Sequence, residues 1–108
     1  MKIDEAAARL EALGNPTRLK IYRMLVRAGN PGLPVGKLQS QLSIPASTLS
    51  HHLKTLIIVG LVSQEREATT LICRANYPMM RGLVEFLVAE CCTEADCASL
   101  RQQAETAA

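Results

Sequence analysis

The sequence contains no tryptophan and only three other aromatic residues, Tyr22, Tyr77 and Phe86. Its core must therefore be assembled from Leu, Ile, Val, Ala and Met. The longest apolar run, Leu56 to Val62, falls far short of the ~20 residues that a bilayer span requires. The opening Met1-Lys2-Ile3-Asp4-Glu5 lacks the apolar stretch of a signal peptide, so a soluble cytoplasmic protein is expected. No internal repeat, low-complexity tract or Cys-x-x-Cys pair is present. With 48% hydrophobic and 20% charged residues, the composition excludes a disordered chain. The 108 residues predict a single domain over 1–101 with a frayed tail over 102–108. A chain of about this length hides only roughly 60–70% of its unfolded surface, so a second subunit would help it. In a reducing compartment the four cysteines read as thiols for metal, redox or packing roles rather than a disulfide framework.

Acidic residues are missing from one long stretch. Between Ala12 and Gln64 there is no Asp or Glu, while Arg18, Lys20, Arg23, Arg27, Lys37 and Lys54 all fall there. From Gly82 onward the balance reverses: Arg101 stands alone against Glu85, Glu90, Glu94, Asp96 and Glu105. The acid-free stretch suits a polyanion, because Lys and Arg replace the counterions of phosphates.

Apolar periodicity predicts a helix over Asp4–Leu13, with Ile3, Ala6, Ala7, Leu10 and Leu13 on one face. Gly14 ends it, and Asn15-Pro16 starts a second helix with Asn as cap and Pro at the first position. Leu19, Tyr22, Leu25 and Val26 form its expected buried face. After the turn cluster Gly29-Asn30-Pro31-Gly32, a short third helix spans about Val35 to Leu42. Ser43-Ile44-Pro45 breaks the chain, and a fourth helix runs from Pro45 or Ala46 to Val59, burying Leu49, Leu53 and Leu56. Leu61–Arg66 and Thr70–Ala75 read as two short strands. A last helix is expected over about Pro78 to Cys92, with Met80, Leu83, Val84, Leu87 and Cys91 near one face. The expected class is mainly α with a small β-wing.

Two short helices joined by a three- or four-residue break, followed by a strand pair, form a winged helix-turn-helix pattern. The polar face of the fourth helix carries Ser47, Thr48, Ser50, His51, His52 and Lys54. Its small N-terminal residues would let the helix end sit deep in a major groove. His51 and His52 are adjacent, so they point about 100° apart on a helix. Neither has a Cys or acidic neighbour in sequence, which favours groove contact over metal ligation. Arg66, near the wing tip, is the expected backbone contact of the wing.

The run Ala12-Leu13-Gly14-Asn15-Pro16-Thr17-Arg18-Leu19-Lys20-Ile21 resembles the opening of the ArsR/SmtB, or arsenic-repressor, family. Ser47 through Leu56, then Gly60-Leu61-Val62, resembles that family's recognition helix and its exit. The likeness covers about residues 6 to 90 of the 108. It implies a homodimeric repressor, paired through its first and last helices, that leaves its double-stranded operator when an inducer binds. Its targets would be detoxification genes, its own among them. The wing departs from the family: Glu67-Ala68-Thr69-Thr70 stands where a glycine-containing basic turn is usual.

Glu90-Cys91-Cys92-Thr93-Glu94-Ala95-Asp96-Cys97 places three cysteines within seven positions. On an uninterrupted helix Cys91, Cys92 and Cys97 would lie at about 0°, 100° and 240°, unable to meet on one ion. A three-thiolate site therefore requires the helix to end or unwind near Cys92-Thr93, or a second subunit to contribute. Three soft sulfurs without a fourth ligand suit trigonal-pyramidal arsenite or antimonite. The resemblance points the same way, since some family members sense arsenite through a vicinal cysteine pair and a third cysteine at the C-terminal helix. Val35-Gly36-Lys37-Leu38-Gln39 lacks the cysteine pair of other arsenic and cadmium sensors, and the last helix has no His for an interface zinc site. Glu90, Glu94 and Asp96 could complete a zinc or cadmium site with the thiols. A redox or persulfide sensor of the same fold, working through Cys92–Cys97 or a bond between subunits, is a further alternative. Cys73 reads as a small strand residue. No anion-cradling loop adjoins the cysteines, so an enzyme is not expected.

Overall fold

A computed structural model describes residues 1–95. Five helices and three short strands follow one another as α1 (Ile3–Leu13), α2 (Pro16–Ala28), β1 (Leu33–Pro34), α3 (Val35–Leu42), α4 (Ala46–Ile58), β2 (Val62–Glu67), β3 (Thr70–Ala75) and α5 (Tyr77–Val88). This is the winged helix-turn-helix arrangement expected from the sequence.

Local chemistry sets most of the boundaries. The Asn15 side chain accepts from the backbone N–H of Thr17 at 2.9 Å and of Arg18 at 3.1 Å, and Pro16 occupies the first helical turn. Ser43 closes α3 in the left-handed region at φ 53°. Asn76 caps α5 through Met79 N and also donates from Nδ2 to Gly60 O at 2.9 Å. One asparagine thus ties the start of α5 to the exit of α4.

The core is aliphatic. Ile21, Leu25, Leu38, Leu49, Leu56 and Leu61 are fully buried, joined by Leu53, Val62 and Cys73. Each buried Leu or Ile contributes roughly 1.5–3 kcal/mol relative to exposure. Leu49, Leu53 and Leu56 behave as expected. Leu19 does not: it is 43% exposed, and Ile21 takes the inward place beside Tyr22 and Leu25. The phase of α2 is set by packing on α4 and β3, which rotates the buried stripe away from Leu19. On α1 the small residues Ala6 and Ala12 face inward, leaving Ile3 and Leu10 outside; α5 buries Leu83 and leaves Val84, Leu87 and Val88 outside.

The sheet has the order β1-β3-β2, all antiparallel. Strand β1, Leu33↔Cys73 and Pro34↔Ile72, is an addition to the sequence reading. Two residues show no periodicity, and only the open edge of β3 makes them a strand. The wing closes in two residues, with Glu67 opposite Thr70 and Ala68 at φ 56°. Helix α5 ends at Val88 rather than at Cys92.

The two tyrosines make opposite contributions. Tyr77 Oη donates to Val26 O at 2.9 Å, pinning α5 to α2. Tyr22 Oη is buried and has no hydrogen-bond partner among the described residues, and burial, then nearby Tyr77, pushes its pKa up. Tyr22→Phe is therefore expected to raise stability in urea by about 1 kcal/mol, and Tyr77→Phe to lower it by about 1 kcal/mol. Equal losses in both variants would contradict the unpaired hydroxyl.

Candidate functional site

Helix α4 presents two faces. Leu49, Leu53 and Leu56 anchor it to the core, while Ser47, Thr48, Ser50, His51 and Lys54 are exposed. Ser47, His51 and Lys54 recur at positions i, i+4 and i+7, so they form one outward stripe. No acidic residue interrupts it. Such a face can donate to base edges and phosphates alike.

His52 stands apart from this stripe. It is half-buried, with Nδ1 3.4 Å from Arg18 Nη1. Burial chiefly, then the Arg18 charge and His51, hold its pKa below the ordinary imidazole value. The His51 and His52 rings are tilted by 57° with centroids 5.9 Å apart, so the adjacent histidines address different surroundings.

The wing register decides which of its residues face α4. Gln64 and Arg66 lie on one face of β2, opposite Cys73 and Leu71 of β3. Gln64 and Leu71 line a cleft of ≈ 260 Å³ with Ser50, Leu53 and Lys54 of α4. Arg66 shares that face and is exposed toward the tip. Glu65 and Glu67 lie on the opposite face, where Arg74 binds both, at 2.9 and 3.1 Å. Arg74 Nε also donates to Asn30 O at 2.8 Å. The wing acids are thereby occupied and turned from the α4 side. Arg74, which organises the wing, is not singled out by the sequence alone; strand alternation from Ser63 places it diagonal to Glu65 and is the signal that could have found it.

Beyond α5 the backbone passes into tight turns. Cys91 N donates to Val88 O at 2.9 Å, Thr93 N to Glu90 O at 3.2 Å and Ala95 N to Cys92 O at 3.2 Å. Cys92 adopts the left-handed region at φ 60°. These turns bring Cys91 Sγ within 3.4 Å of Cys92 Sγ. A cleft beside them is lined by Glu90, Cys92, Thr93, Glu94 and Ala95. Asp96, Cys97 and the 102–108 tail lie outside the described residues. Among the described residues no three His, Cys, Asp or Glu side chains gather as a metal site. Cys73 is buried, accepts from Gln64 Nε2 at 3.5 Å, and has its pKa raised by burial, an effect the Gln64 bond opposes. It is the core strand residue that its position predicted.

Among the described residues no helix is long and apolar enough to cross a membrane. Residues 13–65 match a helix-turn-helix domain family. The chain is 35% identical over 83 residues to the transcriptional activator HlyU of Vibrio cholerae, covering 77% of this chain and 74% of that one. The solved structure of HlyU overlays with a TM-score of 0.67 at 34% identity, over 82% of this chain and 96% of HlyU; a structure of reduced HlyU gives 0.63 at 33% identity, over 82% and 90%. The transcriptional repressor BigR from Xylella fastidiosa gives 0.63 at 31% identity, over 80% and 85%. A homodimeric winged helix-turn-helix DNA-binding domain from Mycobacterium bovis, of a possible ArsR-family regulator, gives 0.64 at 27% identity, over 82% of each chain. With its acid-free reading helix and its wing, the chain belongs to the DNA-binding transcriptional regulators of the ArsR-like winged helix-turn-helix type, and not to the enzymes.

Proposed function

We propose that this protein is a homodimeric repressor that holds its operator until trivalent arsenic, as arsenite or antimonite, engages Cys91, Cys92 and Cys97. Ser47, Thr48, Ser50, His51, His52 and Lys54 meet the duplex through α4, and Arg66 meets it through the wing. The outward apolar residues Ile3 and Leu10 of α1 and Val84, Leu87 and Val88 of α5 support pairing through these two helices, as does the homodimeric Mycobacterium bovis neighbour. A twofold dimer then sets its two reading helices about 34–36 Å apart, one turn of DNA.

The observation that carries the metalloid reading is the 3.4 Å separation of the Cys91 and Cys92 sulfurs. Two thiolates holding one ion through bonds of about 2.3 Å stand roughly 3.3–3.8 Å apart. The pair lies just past the apolar stripe of α5. Thiolates closing on one ion there reshape the end of the pairing helix and so the spacing of the reading helices. Inducer and DNA must weaken each other by the same factor.

The second reading is a redox or persulfide switch, favoured by the same sulfur proximity and by the similarity to a solved structure of reduced HlyU. A gel shift on the region upstream of the protein's own gene separates the readings. Arsenite is expected to release the DNA while peroxide, zinc and cadmium do not. Release by peroxide but not by arsenite would overturn the metalloid reading.

A further inference from the structure

We infer that Arg18 and His52 form a binding site for one backbone phosphate of the duplex, on the flank of α4 away from the wing, and that the site takes up a proton when the phosphate arrives. The inference rests on the reading that α4 enters a DNA groove. Ser50 and Lys54 line the cleft on the wing side of α4. Arg18 and Thr55 line a second cleft, of ≈ 250 Å³, on the other side with Glu11, Ala12, Ile58 and Val59. A helix seated in a groove has a sugar-phosphate strand along each flank. The wing addresses one strand, and Arg18 and His52 are placed to address the other.

The geometry is held from the backbone. Arg18 N is bound by the Asn15 cap, and Arg18 Nε donates to Ala12 O at 2.6 Å. This fixes the guanidinium and leaves Nη1 aimed at His52 Nδ1, 3.4 Å away. Among the described residues the ion pairs engage Arg9 and Arg74, and none engages Arg18. The charged groups acting on the ring are Arg18 from α2 and His51 on its own helix; Glu11 of α1 lines the cleft beside Arg18 and makes no ion pair with it. An arginine and a histidine in contact, with no carboxylate ion-paired to either among the described residues, can together receive an anion.

Protonation has a definite sign here. Arg18 Nη1 can only donate, so its 3.4 Å contact with His52 Nδ1 calls for a ring nitrogen without a proton, and burial and then the Arg18 charge both disfavour the imidazolium. A proton on Nδ1 would set two N–H donors against each other. A phosphate oxygen gives both donors an acceptor and favours the charged ring. DNA binding therefore takes up protons, and affinity falls as pH rises. The stability of the DNA-free fold moves the other way: the depressed pKa means it declines as pH falls through the folded value.

Fluorescence anisotropy with the upstream duplex and an unrelated duplex tests this. The series runs from about pH 5.5 to 7.5, one unit either side of the ordinary imidazole value of about 6.5. Wild-type affinity is expected to fall by up to about tenfold per pH unit per protomer within that window. His52→Gln should flatten the dependence, while His51→Gln weakens binding but keeps the slope. Arg18→Gln, if its melting curve shows a folded protein, should weaken binding to both duplexes alike. It should also reduce the salt slope by about 0.9 per protomer. A His52→Gln protein that titrates like wild type, a flat wild type, or a salt slope unchanged in a folded Arg18→Gln protein overturns the phosphate site while the DNA reading stands. A wild type that binds neither duplex brings down both.

Discussion

Serine at Cys91, Cys92 and Cys97 together is expected to abolish release by arsenite while leaving the inducer-free affinity for DNA within about threefold of wild type. The two halves of this result have different physical origins. The thiol segment lies beyond Val88, outside the elements that build the reading face. Serine is close to cysteine in size, and Cys91 is exposed, so the DNA-free fold changes by no more than about 0.5 kcal/mol. The inducer response, by contrast, depends on soft sulfur donors that a hydroxyl cannot replace. In the wild type a hundredfold loss of affinity requires about 2.7 kcal/mol of coupling. One ion shared by three thiolates can supply that much only if it binds one dimer geometry far better than the other. Anisotropy titrations with and without arsenite measure the loss, and calorimetry of arsenite binding gives the number of ions per dimer. Cys91→Ser and Cys92→Ser alone should each weaken arsenite binding, since each removes one sulfur of the 3.4 Å pair. Undiminished release in the triple variant would remove the thiols from the mechanism.

Gly32→Ala is expected to destabilise the fold by about 3 kcal/mol or more. A β-carbon at Gly32 would meet Cys73 O at 2.5 Å, Arg74 Cγ at 2.7 Å and Ile72 Cγ2 at 2.9 Å, and the residue sits at φ +68°. The left-handed backbone alone costs an L-residue about 1–2 kcal/mol. The contact with Cys73 O adds to this, because that oxygen belongs to β3. Strand β3 cannot retreat, since it pairs with β1 on one side and β2 on the other. Loss of the Gly32 turn would detach β1 and loosen the base of the wing. Gly36 in α3 is the control: an added β-carbon there meets nothing within 4 Å, and Gly36→Ala should stabilise by up to about 1 kcal/mol. Urea midpoints of the two variants measure the contrast. Similar midpoints for both would mean that the close approach to β3 yields without cost.

Most of the element map was legible in the residues because its signals are local. Asn15-Pro16 announces α2, Ser43-Ile44-Pro45 the break before α4, and Leu49, Leu53 and Leu56 the buried face of the reading helix. Those signals act within one turn of helix or one turn of chain. The errors fall where a distant partner decides. Leu19 looks as apolar as Leu25, yet packing of α2 selects Ile21 instead. The apolar spacing of α5 continues to Cys91, but the residues past Val88 are exposed on the described chain, with Cys92 half-buried, and the backbone tightens into turns.

The reading helix divides in the same way. Exposure of Ser47, Thr48, Ser50, His51 and Lys54 follows from helical periodicity once the leucines are buried. The different surroundings of His51 and His52 do not follow. A spacing of about 100° says only that the two rings diverge; it takes the α1–α2 junction, folded against α4, to bring Arg18 to one of them. The pairing of Glu65 and Glu67 with Arg74 likewise depends on strand register.

Sequence alone determined the fold class, the reading helix and the cysteines at the end of the last helix, because caps, periodicity and acid-free runs are properties of neighbouring residues. Tertiary structure alone decided which base meets which acid, which histidine meets Arg18, and how closely the sulfurs of Cys91 and Cys92 approach. Those contacts depend on distances across space, and no spacing along the chain encodes them.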